Sequence, residues 1–381
     1  MNNNFIINNA LIFMPDCEFK SGSLYISNGV ITNEPAQDPQ ILESENLYVI
    51  PGLTDIHFHG CKGHDFCDGT VEAIEAISHY EAANGITNIC PATMTLPEEK
   101  LTQVMKAARK FHESNSALVG INLEGPFISP AKPGAQNPKY IVKPDADMLA
   151  RLQESSGGLI KIAVLAPEVD NGLEFISQAK TIAGINISLG HTVCNYEIAN
   201  KAFALGANHL THTYNAMNPI NHREPGPVIA ALENKSVMIE LICDGLHVHP
   251  SVVKATLKLF GTDRVIFISD STEATGMKDG NYMLGGLEII KHGNKATLTD
   301  GKTLAGGACN LMDCVRTAVK VMNISLENAI KCASVNPAKS INASDSIGVI
   351  ESGRIANLAA LDKDLNLKWV IQGGSLIDIT K

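Results

Sequence analysis

The sequence has little positive charge and no run of it. Its 381 residues include 30 Lys and Arg against 40 Asp and Glu, which gives a formal net charge of −10. Nucleic-acid backbones and anionic lipid surfaces recruit clustered cations, so we expect neither a nucleic acid nor a membrane as a partner. A small phosphorylated ligand is compatible with this charge, because a few local donors suffice to bind it.

The sequence also lacks any paired cysteine motif and any long apolar run. Nine cysteines are scattered from Cys17 to Cys332 without a C-x-x-C spacing, which predicts neither a disulfide framework nor a thiolate zinc site. The first fifteen residues carry no basic segment, and no apolar run is long enough to span a bilayer. We therefore expect a cytoplasmic protein. The sequence contains twelve histidines, and neutral imidazole is a common metal ligand.

Short apolar runs alternate with longer amphipathic stretches through most of the chain. This rhythm is typical of parallel strands joined by helices. Amphipathic patterns predict helices over 71–83, 98–112, 173–182, 196–204 and 252–260. The predicted strands cover 53–59, 86–90, 118–123, 160–165, 185–189, 207–212, 237–243 and 265–270. Eight strands with crossover helices favour an α/β fold of the (β/α)8 TIM-like barrel type, with a doubly wound open sheet as the alternative.

The two ends of the chain resemble each other and differ from the middle. Both consist of short β-rich runs separated by turn residues, such as Ser27-Asn28-Gly29 and Gly373-Gly374. We predict that 1–50 and 345–381 together form one small β-sandwich domain. Residues 51–344 would then form the barrel, with a β-hairpin insertion over 278–303.

Polar side chains accumulate where the predicted strands end. In a barrel enzyme the reactive groups lie at these carboxyl ends. A single such residue more often caps a helix or pairs with a backbone carbonyl, and H-x-H alone is a weak signal. Five strand ends that share the property predict a metal site, because coordination offsets the cost of burying charge. The residues at these ends are Asp55, His57, His59, Glu124, His191, His212 and Asp270.

The remaining histidines fall into two groups. His79, His112, His209 and His292 are expected to be structural or solvated, and His64 stays undecided. His222, His247 and His249 follow the sixth and seventh strands, in loops that would overhang the barrel mouth. Together with Arg223, whose guanidinium suits phosphate, they are candidate donors for an anion, and a solvated loop is the alternative.

These residues lie in a set of longer motifs that is much more specific than H-x-H. Through them the chain resembles the N-acetylglucosamine-6-phosphate deacetylases of the amidohydrolase superfamily, over nearly its whole length. Glu124 takes the place of the carbamylated lysine found in many other amidohydrolases. The motifs that carry the resemblance are 51–60 (PGLTDIHFHG), 123–127 (LEGPF), 189–192 (LGHT), 211–217 (THTYNAM), 223–226 (REPG), 244–247 (DGLH), Ser269-Asp270 and 304–307 (LAGG).

The resemblance implies a deformed barrel enzyme that hydrolyses the acetamido group of N-acetylglucosamine 6-phosphate to glucosamine 6-phosphate and acetate. Glu124, His191 and His212 would hold one divalent ion, and the intact His57 and His59 favour a second ion that shares Glu124. Zinc and iron both suit these ligands. A metal-bound hydroxide would attack the acetyl carbon, with Asp270 at the metal site as general base and then general acid.

The resemblance also assigns the substrate contacts to Asn215, Ala216, Arg223 and His247. It implies a homodimer, in which Arg223 would reach the neighbouring subunit's site. One departure concerns Gln136, where the family often has a histidine that contacts the acetyl carbonyl. N-acetylgalactosamine 6-phosphate, or another N-acyl compound, is the alternative substrate. A non-enzymatic scaffold barrel is disfavoured, because all the matched ligand residues are present.

Overall fold

A computed structural model describes residues 3–182 and 184–379. Residues 1, 2, 183, 380 and 381 of the predicted domains lie outside the described residues. The strands in chain order are β1 (Phe5–Phe13), β2 (Phe19–Ser27), β3 (Val30–Thr32), β4 (Gln40–Glu43), β5 (Tyr48–Pro51), β6 (Leu53–Asp55), β7 (Gly60–Cys61), β8 (His64–Asp65), β9 (Ile86–Ile89), β10 (Ile121–Leu123), β11 (Ile160–Leu165), β12 (Asn186–Leu189), β13 (His209–Leu210), β14 (Met238–Ile242), β15 (Val265–Ile268), β16 (Gly280–Leu284), β17 (Leu287–His292), β18 (Lys295–Leu298), β19 (Leu304–Gly307), β20 (Leu358–Leu361), β21 (Leu367–Gln372) and β22 (Ser375–Ile377).

Ten α-helices lie between these strands. They are α1 (Val71–Ala83), α2 (Glu98–His112), α3 (Ala146–Ser155), α4 (Gly172–Ala179), α5 (Tyr196–Leu205), α6 (Gly226–Glu233), α7 (Pro250–Phe260), α8 (Leu311–Lys320), α9 (Leu326–Ile330) and α10 (Asn336–Ser340). Within the described part of the chain, no helix combines the length and the apolar character that crossing a bilayer requires.

Both chain ends contribute to one sheet of eight strands. Its order is β22-β21-β20-β5-β1-β2-β3, with β4 paired to β1. The strands from both ends belong to a single hydrogen-bonded sheet, in which β1 pairs with β2 along one edge and with β4 and β5 along the other. The sandwich arrangement of this domain stays a prediction. One hydrophobic cluster joins the two ends, since Phe5 and Ile7 belong to it together with Trp369 and Ile371.

The eight predicted parallel strands are all present; β11 has the predicted bounds, and the other seven are shorter than predicted. β6 and β9 form one parallel pair, and β10 to β15 form a six-stranded parallel sheet. Two isolated bridges, Ile89 to Leu118 and Ala92 to Asn122, connect the pair to the larger sheet. Backbone hydrogen bonds from Asp270 N to His57 O and from His59 N to Ser271 O connect the last strand to the first. The fold is therefore mixed α/β with a curled parallel sheet, and its strands are not paired in one continuous closed ladder.

The helix predictions are confirmed at five positions, and two further helices of the parallel-sheet region, α3 and α6, were missed. α1 and α2 have the predicted bounds, and the buried residues of both recur at helical spacing on one face. α6 is short and buries residues on most of its surface, so it lacks the periodicity that identifies a helix. α3 has a recognisable start, because the Asp145 side chain accepts hydrogen bonds from the amides of Asp147 and Met148.

The predicted hairpin insertion is an antiparallel sheet of four strands, β16 to β19. It ends at Gly307 rather than at residue 303, because β19 pairs with β18. β19 also lies against the end of the last parallel strand through a bridge between Ser271 and Gly307. The insertion is thus attached directly to the polar end of the parallel sheet.

The sheet formed from both termini predicts a specific stability effect. Ile371→Ala in β21 should lower the free energy of unfolding by about 2 to 5 kcal/mol, since it empties a fully buried position that packs with the amino-terminal strands. Urea unfolding followed by circular dichroism measures this change. Leu376→Ala in β22 is the control, because that side chain is 41% exposed. Equal unfolding midpoints for the two variants would contradict the shared core.

Candidate metal centre

Five buried side chains meet at the carboxyl end of the parallel strands. His57 and His59 follow β6, Glu124 directly follows β10, and His191 and His212 lie two residues beyond β12 and β13. They form two groups whose ligand atoms lie within 4.8 Å of one another, and Glu124 is common to both. The groups are His57–His59–Glu124 and Glu124–His191–His212.

The Glu124 carboxylate lies at the centre of this arrangement. Its Oε1 is 3.0 Å from His212 Nε2, 3.1 Å from His191 Nε2 and 3.3 Å from His57 Nε2. Its Oε2 is 3.3 Å from His59 Nε2. One carboxylate therefore faces four imidazole nitrogens and is shared by the two groups that could hold a metal ion.

The hydrogen bonds on the far side of two rings show that the cluster suits a cation. His191 Nδ1 lies 3.0 Å from the backbone oxygen of Lys132. A carbonyl oxygen only accepts, so Nδ1 carries the proton and the Nε2 of a neutral ring is a bare lone pair facing Glu124. His57 has the same arrangement, with Nδ1 2.8 Å from Glu240 Oε2. Opposed lone pairs of this kind are stabilised by a positive ion between them.

The pKa shifts of the histidines also indicate that the cluster suits a cation. Burial lowers the pKa of His59, but hydrogen bonds to Asp270 and Glu124 outweigh it and raise the pKa to about 10. Burial also lowers the pKa of His57, and the charges of Glu124 and Glu240 raise it well above its ordinary value. The field of these carboxylates therefore favours positive charge at the centre, and a divalent ion is the stronger form of the same charge.

Asp270 lies beside the first group, at the end of the last parallel strand. Its Oδ1 is 3.3 Å from His59 Nε2 and 3.7 Å from His57 Nε2. Burial raises the pKa of Asp270, but the hydrogen bond to His59 and the charges of His57 and His59 outweigh it, so the net shift is downward. Asp270 is therefore an ionised carboxylate that can accept a proton.

Three of these residues have a left-handed backbone, which is uncommon for side chains other than glycine. The φ angles are 45° at His191, 24° at His212 and 51° at Asp270. Each such residue costs of order 1 kcal/mol or more, and such residues cluster at functional sites. The turn after each strand thus aims a side chain into the cluster at the expense of local backbone energy.

Gly125 makes room for the shared carboxylate. Its φ is +80°, and a Cβ at this position would lie 2.0 Å from Thr95 Oγ1. The residue after Glu124 must therefore be glycine for the chain to turn here without displacing Thr95.

Sequence reasoning missed Glu240, the carboxylate that orients His57. Glu240 is fully buried in β14, where it also accepts a hydrogen bond from His212 N and lies 3.4 Å from His209 Nδ1. A single acidic residue within an apolar strand was the available signal. The predicted structural role of His209 agrees with this position, since His209 belongs to neither ligand group.

Asp55, one of the polar residues predicted at the strand ends, belongs to neither ligand group. Its carboxylate accepts hydrogen bonds from Ser269 Oγ at 2.5 Å and from His57 N at 3.2 Å. Burial raises the pKa of Asp55 to about 7, although these hydrogen bonds lower it. Asp55 thus connects the first and last parallel strands beneath the cluster.

A cavity of about 570 Å³ opens above the cluster. His247 lies in its wall, with Nδ1 2.7 Å from Asp244 Oδ2, which leaves Nε2 available to a ligand. Burial lowers the pKa of His247, but the hydrogen bond and charge of Asp244 raise it above its ordinary value. The predicted substrate residues that line the cavity are Gln136, Asn215, Ala216 and His247, and sequence reasoning missed two lysines beside them, Lys132 and Lys302.

Both polar atoms of the Gln136 side chain form hydrogen bonds with neighbouring groups. Its Nε2 donates to Glu124 Oε2 at 2.7 Å, and its Oε1 accepts from Thr95 N at 2.7 Å. The glutamine therefore holds the shared carboxylate, and its predicted contact with an acyl group stays a prediction.

The structure does not bring Arg223 into this cavity. Arg223 is exposed and lines a separate cavity together with Asn195 and Glu224. Two other mouth residues are also exposed, His222 and His249, and His249 caps α7 by accepting from Ser251 N at 3.2 Å. A larger surface cavity of about 1060 Å³, between α2, α3 and α4, contains none of the predicted site residues.

Comparison with known proteins agrees with this geometry. The sequence pattern of the amidohydrolase family matches residues 48–377. The chain belongs to the amidohydrolase family. It is 33% identical to the N-acetylglucosamine-6-phosphate deacetylase of Bacillus subtilis (strain 168) over 100% of this chain and 99% of that protein. It is 30% identical to the N-acetylgalactosamine-6-phosphate deacetylase of Escherichia coli O157:H7, over 92% of this chain and 93% of that protein.

Solved structures of the family superpose on nearly the whole chain. The N-acetyl-D-glucosamine-6-phosphate deacetylase of Mycobacterium smegmatis, in complex with N-acetyl-D-glucosamine-6-phosphate, has a TM-score of 0.92 at 30% identity, and the match covers 98% of this chain and 99% of that chain. The N-acetylglucosamine-6-phosphate deacetylase of Thermotoga maritima has a TM-score of 0.88 at 29% identity. The resemblance inferred from the motifs is thereby confirmed.

The contact at Gly125 predicts a selective loss of metal binding. Gly125→Ala should lower the metal content and the unfolding midpoint, because the added Cβ pushes either Thr95 or Glu124 out of place. Elemental analysis and thermal unfolding measure the two effects. Gly158→Ala is the matched control, since Gly158 has φ +89° and nothing within 4 Å of an added Cβ. Equal metal content in the two variants would contradict the steric role of Gly125.

Proposed function

We propose that this amidohydrolase cleaves the acetamido group of N-acetylglucosamine 6-phosphate and releases glucosamine 6-phosphate and acetate. The observation that carries the proposal is that one cavity is lined by members of both ligand groups together with Asp270 and His247. The deacetylases that match this chain over nearly its full length support the choice of substrate.

Two divalent ions per subunit, zinc or iron, fit the residues of the cluster. Glu124, His191 and His212 would hold one ion, and His57, His59 and Glu124 the other, with Asp270 beside it. When bound, such ions supply a Lewis acid for the acetyl carbonyl and lower the pKa of a water ligand. Asp270, ionised and buried beside His59, accepts the proton of the attacking water and delivers it to the sugar nitrogen as the amide bond breaks.

The cavity wall supplies groups for the sugar and its phosphate. His247, held by Asp244, presents Nε2 to the substrate, and Asn215 and Ala216 contribute from the loop after β13. Lys132 and Lys302 add positive charge to the same cavity, which suits a phosphate in a chain of net charge −10. Arg223 lines a different cavity, and this supports a homodimer in which Arg223 serves the neighbouring subunit.

We also propose a (β/α)8 barrel over 51–344 and a terminal domain made of 1–50 and 345–381. The backbone hydrogen bonds between Asp270 and His57 support the barrel, because they connect the last strand with the first. The eight-stranded sheet built from both termini supports the terminal domain. The nine free cysteines support a cytoplasmic location, where thiols stay reduced.

N-acetylgalactosamine 6-phosphate is the second candidate substrate. The relative from Escherichia coli O157:H7 is named for this sugar, and its identity to the present chain is close to that of the glucosamine-type relatives. The two sugars differ in one hydroxyl configuration, so a direct comparison of rates is needed.

Acetate release from purified, metal-loaded protein tests the function. We expect the highest kcat/KM with N-acetylglucosamine 6-phosphate, a lower value with the galactosamine compound and the lowest with unphosphorylated N-acetylglucosamine. Asp270→Asn should reduce kcat by roughly 100-fold or more, because an amide cannot accept the proton. Asp345→Asn, at an exposed carboxylate, is the control.

The possible outcomes with these three sugars contradict different parts of the proposal. Absence of acetate from all three sugars would contradict the enzymatic function. Equal rates with and without the phosphate would contradict the roles of Arg223 and His247 in phosphate recognition. A faster reaction with the galactosamine compound would replace the proposed substrate by the second candidate.

The number of ions is tested by removing two ligands at once. Replacing His57 and His59 together with Asn should reduce the bound metal from two ions to one per chain, because Glu124, His191 and His212 stay in place. Elemental analysis after removal of excess metal gives the count. An unchanged count would contradict a second position at these histidines.

A further inference from the structure

Glu240 is a fully buried carboxylate beside the metal centre that the proposed mechanism does not use. It lies in the middle of β14, which is otherwise apolar, and its relative exposure is 0%. Replacing an apolar residue with an ionised one at such a position costs several kcal/mol unless specific partners compensate. The contacts of Glu240 therefore indicate the role of its carboxylate.

One oxygen of Glu240 connects the two metal positions. Oε2 lies 2.8 Å from His57 Nδ1, in the first ligand group, and accepts from His212 N at 3.0 Å, in the second. A carboxylate oxygen at this distance acts as the acceptor, so its partner His57 Nδ1 donates.

We propose that Glu240 is a positioning residue that holds His57 with Nε2 directed at Glu124, and that it thereby sets the metal affinity of the His57–His59–Glu124 position. The inference rests on the proposed function in one respect, namely that this group binds an ion. Glu240 would thereby determine whether Nε2 of His57 faces Glu124 as a bare lone pair or as an N–H group.

The geometry supports positioning over simple charge compensation. Nδ1 and Nε2 lie on opposite sides of an imidazole ring, so a fixed acceptor at Nδ1 determines both the tautomer and the direction of Nε2. Nε2 of His57 has no hydrogen-bond partner among the described residues, and it lies 3.3 Å from Glu124 Oε1 and 3.7 Å from Asp270 Oδ1. A bare Nε2 lone pair held between two carboxylates is well placed to bind a cation.

The test is a zinc titration of the full-length Glu240→Gln variant against a competing chelator. The amide can still accept, but it is neutral and can also donate to Nδ1, which would place the proton on Nε2. We expect one zinc ion to bind about 10- to 100-fold more weakly than in the unsubstituted protein, while the affinity of the other is unchanged. Glu81→Gln is the matched control, because Glu81 is 1% exposed and burial raises its pKa well above the ordinary value, so the amide replaces a neutral acid.

A double substitution separates positioning from a general effect on the fold. If Glu240 acts through His57, adding Glu240→Gln to His57→Asn should cause no further loss at the first position, since that position is already disrupted. Wild-type affinity for both ions in Glu240→Gln would overturn the proposal, and so would a single bound ion in the unsubstituted protein. Equal weakening in Glu81→Gln would also overturn it. Because zinc binding is measured without substrate, these outcomes are distinct from a failure of acetate release.

Nitrogen-15 NMR of the zinc-loaded, unsubstituted protein tests the same proposal without any variant. We expect the His57 ring to carry its proton on Nδ1, hydrogen-bonded to Glu240, with Nε2 unprotonated. A proton on Nε2 in the loaded protein would overturn the proposal, whatever the stability of the variants.

Discussion

The carboxylate of Glu124 is the group on which the rest of the site depends. It is 1% exposed, and four imidazole nitrogens from three different parts of the parallel sheet point at its two oxygens. A buried negative charge is tolerated only where its partners are held close, so the strands must end in register around it. The strained turns at His191 and His212 and the glycine at position 125 follow from the same requirement.

A second layer of polar contacts holds the groups that meet at Glu124. Glu240 orients His57, Gln136 holds Glu124 itself, and Asp244 orients His247 at the cavity wall. In each pair the outer group determines which atom of the inner group faces the cavity. Such pairs keep ligands within the small tolerance that catalysis requires, at the cost of burying further polar atoms.

Much of this architecture was predictable from local patterns. Apolar runs located all eight parallel strands, and their polar ends identified His57, His59, Glu124, His191 and His212, because parallel strands place their carboxyl ends at one edge. α6 is buried on most of its surface, so its own sequence shows no amphipathic period and the helix was not predicted. A joint β domain of the two termini was predicted, but not the strand that connects them: β5 pairs with β1 on one side and with β20 on the other.

The sequence by itself determined the types of the ligands and their position at strand ends, since both depend on neighbouring residues along the chain. Only the tertiary structure decided how these groups are used. Glu240 reaches His57 across 183 positions, and Gln136 donates a hydrogen bond to Glu124. Arg223 lines a cavity separate from the one above the cluster. Contacts of this kind depend on strand register and loop conformation, which are set by the packing of the whole fold and leave no local pattern in the sequence.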